Sequence, residues 1–299
     1  MNPFPSSTFF SAPPEWGWYI VWYFFFGGLA GGCYFIAALI DLFGRPEDRA
    51  LARLAYYIAL PCVIISTILL ILDLGRPLRF WHMLLQSNTY RIMFKPWSPM
   101  SVGSWALLIF GIFSLLSFLG ALAEDGHLQK PEAKRLRCPG ALGLIIALVG
   151  GLCGFFVAGY TGVLLAVTNR PIWSDTPLLG MLFVVSATSI SGALMILLAH
   201  NSERSAPGIN ALHRWDMWVV ALEFIVLIAV MISLGPVFRA WLSAWGVLLF
   251  LGVIVVGMWT PLALYFRKDW VGDRNITTGA AVVLVGGFLL PLVIIFSRP

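Results

Sequence analysis

Charge is the property that this chain has least of. Asp, Glu, Lys and Arg together make up 11% of the sequence, and 60% of the residues are hydrophobic. Soluble domains carry roughly a quarter charged residues, so this composition excludes an ordinary soluble protein and predicts a polytopic membrane protein. Residues Met1 to Pro14 contain no Lys or Arg and no small-residue cleavage pattern. We therefore predict no cleaved signal peptide.

Residues that ligate redox metals are also scarce. The four cysteines are scattered without a Cys-x-x-Cys pair, and none of the four histidines lies in the middle of an apolar run. Iron–sulfur clusters need grouped thiolates, and a transmembrane haem needs axial histidines. The sequence therefore predicts no haem and no iron–sulfur cluster in this chain. We expect the cysteines to be small packing residues.

Long apolar runs, in contrast, are abundant. Runs of about 20 residues cross a bilayer as a helix, and the sequence predicts eight of them: 17–42, 52–73, 101–123, 139–167, 177–199, 216–234, 240–265 and 276–296. The predicted fold class is an all-α integral membrane protein with one membrane domain over residues 1–299. We expect two four-helix bundles, one within 17–167 and one within 177–296.

The distribution of Lys and Arg predicts the orientation. If Met1 lies outside, twelve of the 19 cations fall on inside connections and seven on outside connections. Cytoplasmic loops are enriched in cations, so both termini are predicted to be non-cytoplasmic. The outside connection from Gly75 to Pro99 is an exception, because it holds four of those seven cations and two tryptophans. It is either a loop on the membrane surface or a docking surface for an extramembrane subunit.

A charged corner lies at the end of the second predicted helix. Gly75 and Pro77 are expected to end that helix, because glycine can turn the chain and proline cannot continue it. Asp73, Arg76 and Arg79 flank this point. Charges at the edge of the hydrocarbon are costly unless they pair or serve a site at that depth. The corner is therefore either a helix-end ion pair or part of a functional site.

Tyrosines lie near the same predicted face. Helical spacing places Glu15, Tyr19 and Tyr23 on one side of the first helix. The fourth helix carries Tyr160 and Thr161 between two glycines, which leave space beside the phenol for a flat ring. A phenol in hydrocarbon needs a hydrogen-bond partner. The alternatives are interfacial anchoring for the first-helix aromatics and a purely structural hydrogen bond for Tyr160.

These residues predict a quinone site. A pocket lined by Tyr23, Tyr160 and Asp73 would have apolar walls and a few converging polar groups, as ligand sites usually do. A quinone fits because its carbonyls accept hydrogen bonds and its tail prefers lipid. The tyrosines would orient the carbonyls, and Asp73 or Glu15 would exchange protons with the outside. Tyr19, Thr161 and Arg76 complete this candidate set.

Two further features concern the helices themselves. Gly27, Gly28, Gly31 and Gly32 form two overlapping Gly-x-x-x-Gly pairs, which predict close helix packing. Glu223 lies inside the sixth predicted helix, and an intramembrane carboxylate is a functional hypothesis by default. Glu223 either caps a polar contact between helices or belongs to a proton path.

Three ordered motifs resemble the NrfD/PsrC family of membrane anchors from polysulfide-reductase-like complexes. They are Gly-Leu-Ala-Gly-Gly at 28–32, Asp-Leu-Gly-Arg-Pro-Leu-Arg-Phe at 73–80, and Tyr-Thr-Gly-Val-Leu-Leu at 160–165. The resemblance runs through most of the chain. By position, the family's quinone ligands fall on Tyr160 and Tyr23. A further polar position of the family falls on Ile20, whose side chain cannot form a hydrogen bond.

The resemblance implies a haem-free anchor in the cytoplasmic (inner) membrane of a prokaryote. It implies menaquinone or another quinone as the cofactor, a ferredoxin-like iron–sulfur subunit docked at the outer face, and a molybdopterin-type catalytic subunit beyond it. The protein would then be the quinone-reactive subunit of an oxidoreductase without a catalytic metal of its own. The alternatives are a secondary transporter, whose polar groups would lie at the bilayer midplane, and a purely structural anchor without bound quinone.

Overall fold

The computed structural model describes residues 15–200, 206–267 and 270–297. Within them the chain is helical and has eight helices long and apolar enough to cross a membrane. They are α1 (Trp18–Phe43), α2 (Arg49–Asp73), α3 (Pro99–Glu124), α4 (Ala141–Ala166), α5 (Leu179–Ala199), α6 (Ala206–Ser233), α7 (Ala244–Phe266) and α8 (Asn275–Phe296). The predicted all-α membrane fold is confirmed. Residues 1–14, where the signal-peptide prediction falls, and three of the counted cations (Arg204, Lys268 and Arg298) lie outside the described residues.

Two of the predicted helix boundaries are wrong, and each has a local cause. The sixth helix begins at Ala206 rather than at 216, because the polar stretch at 213–216 remains helical instead of marking the membrane interface. The seventh helix begins at Ala244 rather than at 240, because residues Gly235–Trp241 form a separate 3₁₀ turn. Part of α7, Leu249–Trp259, is a π-helix.

The two ends of the helices define two faces of the molecule. We call the end that contains Trp18, Asp73, Pro99 and Ala166 the N-terminal face, and the end that contains Phe43, Arg49, Glu124 and Ala141 the opposite face. Lys and Arg counts predict that the N-terminal face is the non-cytoplasmic one. This orientation stays a prediction.

Helices α1 and α5 form the centre of the molecule. In each, 72% of the most apolar stretch is buried, against 33% in α3. Helix α1 packs against α2, α4 and α5, while α5 also packs against α4, α6 and α8. Because α5 contacts both α1 and α4 as well as α6 and α8, the division into two four-helix bundles stays a prediction.

The glycines of α1 allow these close contacts. Gly28 and Gly32 face α5, where Ala187 and Ser191 lie against them, and the hydroxyl of Ser191 donates a hydrogen bond to the carbonyl oxygen of Leu29 at 3.3 Å. Gly31, on another side of α1, packs on the backbone of α4. The predicted role of these glycines in close helix packing is confirmed.

The predicted corner after α2 is also present. The helix ends at Asp73, Gly75 adopts a left-handed backbone conformation with a φ of +66°, and Pro77 starts a 3₁₀ helix that ends at Met83. Glycine tolerates this φ without a steric cost. The connection to α3 that follows lies on the N-terminal face, and most of its side chains are exposed.

Candidate functional site

The structure brings two buried tyrosines together near the N-terminal face. Tyr23 on α1 is 2% exposed and Tyr160 on α4 is 7% exposed. The two helices that carry them, α1 and α4, pack against each other. Phe24 is tilted against the ring of Tyr23, and Phe156 is stacked on the ring of Tyr160. The pair is therefore a small polar centre in an apolar part of the molecule.

Helix α3 positions Tyr160. The phenol donates a hydrogen bond to the carbonyl oxygen of Pro99, the first residue of α3. A carbonyl oxygen has two lone pairs, so it can accept this bond in addition to one within the helix. Gly103, one turn further along α3, lies directly against the phenol ring, and a methyl group there would collide with it. This hydrogen bond is the structural alternative that the sequence left open for Tyr160.

Tyr23 differs from Tyr160 in its hydrogen bonding. Among the described residues, its hydroxyl has no hydrogen-bond partner, and its ring packs over Gly27 next to Ser66 of α2. A buried phenol is more stable when its hydroxyl donates to an acceptor. Tyr23 is therefore available to bind an acceptor group of a ligand.

The other candidate quinone-binding residues lie in different surroundings. Thr161 is 1% exposed and its hydroxyl donates to the carbonyl oxygen of Ala158 at 2.8 Å. Tyr19 is 50% exposed, and Arg76 is also exposed. Thr161 thus belongs to the interior, and Tyr19 and Arg76 belong to the surface at the N-terminal face.

The two candidate proton-exchanging carboxylates lie at the rim of the same face. Asp73 is partly exposed at the end of α2, and Glu15 is exposed before α1. Within the described part of the chain, no ion pair joins Asp73 to Arg76 or Arg79. The corner is therefore not the helix-end ion pair that the sequence offered as one alternative.

Neither of two further cavities is lined by Tyr23 or Tyr160. The larger, of about 680 Å³, is an apolar groove between α6 and α7, lined among others by Met231, Trp241 and Phe250. The smaller is a narrow cleft where α1, α4, α5 and α8 meet, lined among others by Phe24, Thr161 and Ser186. The cleft touches the chain neighbours of Tyr23 and Tyr160, whereas the groove does not.

An ionic network at the opposite face was not predicted from the sequence. Asp41, near the end of α1, has a side chain that is 2% exposed and pairs with Arg137, whose side chain is 5% exposed. Tyr56 also donates to Asp41 at 2.9 Å, and Arg137 pairs with Glu124 at 3.0 Å. Burial alone would lower the pKa of Arg137, but Asp41 and Glu124 raise it above its ordinary value, so the guanidinium stays charged.

A second pair of buried acids lies on α6. Glu223, the candidate for a proton path, is 4% exposed, and Asp216 is 0% exposed. The sequence missed Asp216 because the predicted helix began there, which placed the residue at a membrane surface. The signal that could have found it is the spacing of seven residues, which puts two acids on one face of a helix.

Comparisons with known proteins agree with this architecture. A family model described as "Polysulphide reductase, NrfD" matches residues 6–297. The C component of polysulfide reductase from Wolinella succinogenes is 28% identical over 94% of this chain and 93% of its own length. Protein NrfD of Escherichia coli is 26% identical over 98% of this chain and 97% of its own length. The C component of selenate reductase from Mesobacillus selenatarsenatis is 30% identical over 40% of this chain and 24% of its own length.

Proposed function

Because the chain belongs to the NrfD family of oxidoreductase membrane subunits, we propose that it is the quinone-binding anchor of a respiratory oxidoreductase complex. The resemblance found in the sequence motifs is confirmed by the family match. The observation that carries the proposal is the buried pair Tyr23 and Tyr160 beside one membrane face. The Tyr23 hydroxyl is available as a donor, and the Tyr160 hydroxyl can donate to a ligand once it exchanges the Pro99 carbonyl for the ligand's acceptor.

The residues present fit a quinone headgroup. Tyr23 has a hydroxyl without a partner among the described residues, whereas the Tyr160 hydroxyl donates to the Pro99 carbonyl and would exchange that acceptor for a quinone carbonyl. When bound, menaquinone or another quinone supplies a lipid-soluble carrier for two electrons and two protons. The phenols orient the carbonyl groups, and the surrounding phenylalanines exclude water from them.

Protons reach or leave this site at the N-terminal face in our proposal. Asp73 and Glu15 lie at the rim, where each carboxylate can exchange protons with the aqueous phase. Arg76 and Tyr19 are exposed beside them. Thr161 follows Tyr160 on α4, and its hydroxyl donates to the carbonyl oxygen of Ala158 in the same helix rather than to solvent.

The exposed connection between α2 and α3 is the proposed docking surface for the iron–sulfur subunit. Leu78, Ile92 and Trp97 are 88%, 72% and 79% exposed, and they alternate with exposed cations. Contiguous exposed apolar side chains rimmed by polar ones are typical of protein–protein contacts. A ferredoxin-like subunit docked here would place its cluster on the same side as the tyrosines and relay electrons to a molybdopterin-type catalytic subunit.

The docking proposal is tested by site-specific crosslinking. A photoreactive amino acid in place of Trp97 is expected to capture the iron–sulfur subunit in the assembled complex. The same amino acid in place of Glu132, an exposed residue of the opposite face, is the matched control and is expected to capture nothing. Capture from position 132 alone would assign the partner to the other face.

The quinone site is tested by Tyr160→Phe in the assembled complex. Loss of the donor is expected to lower quinone turnover and labelling by a photoreactive quinone by about tenfold or more, because a hydrogen bond to a buried acceptor is lost. Tyr265→Phe, near the opposite face, is the control and is expected to match the wild type. Unchanged turnover, labelling and inhibitor sensitivity in Tyr160→Phe would contradict the assignment of the quinone site to Tyr160.

A further inference from the structure

Asp216 and Glu223 form a buried acid pair on one face of α6. The residues are seven positions apart, which places them on the same side of the helix and about 10 Å apart along its axis. Both side chains are buried, at 0% and 4% exposure. The pair faces α5, where Gly192 contacts Asp216 and Ser186 and Ser189 face Glu223.

Neither acid has a cationic partner in the part of the chain that the structure describes. No ion pair among the described residues includes Asp216 or Glu223. Both carboxyl oxygens of Asp216 are buried without a hydrogen-bond partner in that part of the chain, and so is the hydroxyl of Ser189. A buried carboxylate without a partner is very costly, whereas a protonated carboxyl group is much less so. Both residues are therefore suited to hold a proton and to pass it to a neighbour.

The pair begins close to the opposite face. Arg214, two residues before Asp216, is exposed, and His213 is partly exposed. These polar residues mark where α6 leaves the aqueous phase of that face. Asp216 is therefore the first buried acid that a proton would meet, and Glu223 lies about two turns deeper.

Ser186 continues the line from Glu223 toward the tyrosines. Its side chain faces Glu223 on one side and lines the narrow cleft between α1, α4, α5 and α8 on the other. The same cleft is lined by Phe24 and Thr161, the chain neighbours of Tyr23 and Tyr160. Acids, hydroxyl group and cleft thus follow one another from the opposite face to the helix turns that carry Tyr23 and Tyr160.

We propose that Asp216, Glu223 and Ser186 form a proton path between the opposite face and the tyrosine site. At each carboxyl group a proton arrives on one oxygen and the proton on the other oxygen leaves, and the hydroxyl of Ser186 accepts one proton while it donates its own. No electrons move in these steps. The far end of the path rests on the proposed quinone function, since quinone reduction consumes protons there and quinol oxidation releases them. The path is then a second proton route to the site, beside the one through Asp73 and Glu15 at the N-terminal face.

The path also accounts for the presence of two buried acids on this face of α6. A polar contact that merely joined α5 and α6 would have its oxygen atoms paired, as Ser191 and Leu29 are at the crossing of α1 and α5. Asp216 has no such partner among the described residues. Its position is therefore better explained by proton transfer than by helix association.

The test uses the complete complex in lipid vesicles, with a proton-sensitive dye in contact with the opposite face. Glu223→Gln keeps the size and polarity of the side chain but cannot carry an exchangeable acid proton. Turnover-linked proton exchange with that face is expected to fall by about tenfold or more, while labelling by a photoreactive quinone stays at the wild-type level. Asp216→Asn is expected to act similarly. Glu132→Gln makes the same chemical change on the exposed surface of that face and is expected to have no effect.

The outcomes separate this inference from the quinone proposal. If the wild-type complex neither binds nor turns over quinone, the proposed function fails. If turnover is normal and Glu223→Gln exchanges protons with the opposite face as fast as the wild type, only the proton path is overturned.

A chemical probe keeps the test decisive if both variants fail to assemble. Dicyclohexylcarbodiimide is apolar and reacts with protonated carboxyl groups inside membranes. Treatment of the wild-type complex is expected to modify Glu223 and to abolish proton exchange with the opposite face in proportion. Exchange that persists after complete modification of Glu223, or a Glu223 that stays unmodified while the reagent has no effect, overturns the proposal.

Discussion

Asp41 and Arg137 form a buried ion pair between residues 96 positions apart in the chain. Arg137 also lies 4.7 Å above the ring of Tyr56, which itself donates a hydrogen bond to Asp41. A buried ion pair is not necessarily more stable than an apolar contact, but the removal of one partner leaves an uncompensated charge. The pair therefore fixes α1, α2 and the start of α4 relative to one another.

Arg137→Met is expected to destabilise the detergent-solubilised protein by about 3–5 kcal/mol, because Asp41 remains buried without its cation. Thermal unfolding monitored by thiol exposure measures the change. The double variant Asp41→Asn/Arg137→Met is expected to recover a large part of the loss. Arg45→Ala is the control, since its partner Glu47 is 54% exposed and surface pairs contribute about 0–1 kcal/mol. Equal effects of Arg137→Met and Arg45→Ala would contradict a structural role for the buried pair.

Gly103 and Gly111 provide a matched comparison on α3. A methyl group at Gly103 would collide with the ring of Tyr160, whereas nothing lies within 4 Å of a methyl group at Gly111. Gly103→Ala is therefore expected to displace Tyr160 and to lower quinone turnover by about tenfold. Gly111→Ala is expected to keep turnover and to stabilise the helix by about 0.5–1 kcal/mol. The measurements are quinone turnover and thermal unfolding, and equal turnover in the two variants would show that the ring position does not matter.

The sequence predicted some of these residues and not others, for physical reasons. Tyr23 and Tyr160 were predicted near one face because helix direction alternates across a membrane, which requires no knowledge of helix contacts. The pairing of Asp41 with Arg137 depends on which helices are neighbours, and residue spacing does not contain that information. Asp216 was missed because the polar residues beside it resemble a membrane boundary.

The crossing of α1 and α5 depends on one glycine more than on another. A methyl group at Gly32 would collide with the side chain of Ser191 and the carbonyl oxygen of Ala187. A methyl group at Gly28 would lie 3.4 Å from the side chain of Ala187, which is an ordinary contact. The helices are therefore closest at Gly32.

Gly32→Ala is expected to destabilise the protein by about 1–3 kcal/mol, because the backbone of α5 must move away. Gly28→Ala is the matched control on the same side of α1 and is expected to change stability by less than about 1 kcal/mol. Thermal unfolding in detergent measures both. If the two variants melt at the same temperature, the crossing is looser than the structure describes.

Helix boundaries show where sequence patterns are insufficient. The end of α2 was predicted because Gly75 and Pro77 stop a helix through their own backbone geometry. The start of α6 was predicted ten residues late, because hydropathy measures where the apolar run begins and not where the hydrogen-bonded helix begins. Chemical stop signals are local, whereas the extension of a helix into the interface depends on its neighbours.

The orientation of the whole protein is a prediction from twelve cations against seven. Ser87 and Glu132 are exposed on the two faces. In intact cells or spheroplasts, Ser87→Cys is expected to react with a membrane-impermeant maleimide, and Glu132→Cys is expected to react only after the membrane is opened. The native cysteines at 33, 62 and 138 are buried, so the wild-type protein is the background control. The reverse labelling pattern would place the tyrosine pair on the cytoplasmic side.

Membrane insertion and the number of spans were readable from the sequence because a bilayer imposes one length and one polarity on every crossing segment. The arrangement of the eight helices around α1 and α5 was not, since it depends on close contacts such as that of Gly32 with Ser191. The candidate site was predicted in part. Its tyrosines and Glu223 were candidates from the sequence, whereas the position of Ser186 between Glu223 and the narrow cleft was not predicted.

The ionic network has a consequence for how the molecule deforms. Arg53 and Arg137 fasten α1, α2, α3 and the start of α4 together at one rim, and separation there would strand buried charges. Near the tyrosines, the same helices meet mainly through glycines, phenylalanines and one phenol hydrogen bond. The four helices are thus joined by ionic contacts at the opposite face and by weaker contacts at the N-terminal face. A bulky ring that enters sideways from the lipid would separate the helices at the N-terminal face without breaking the ionic network at the opposite face.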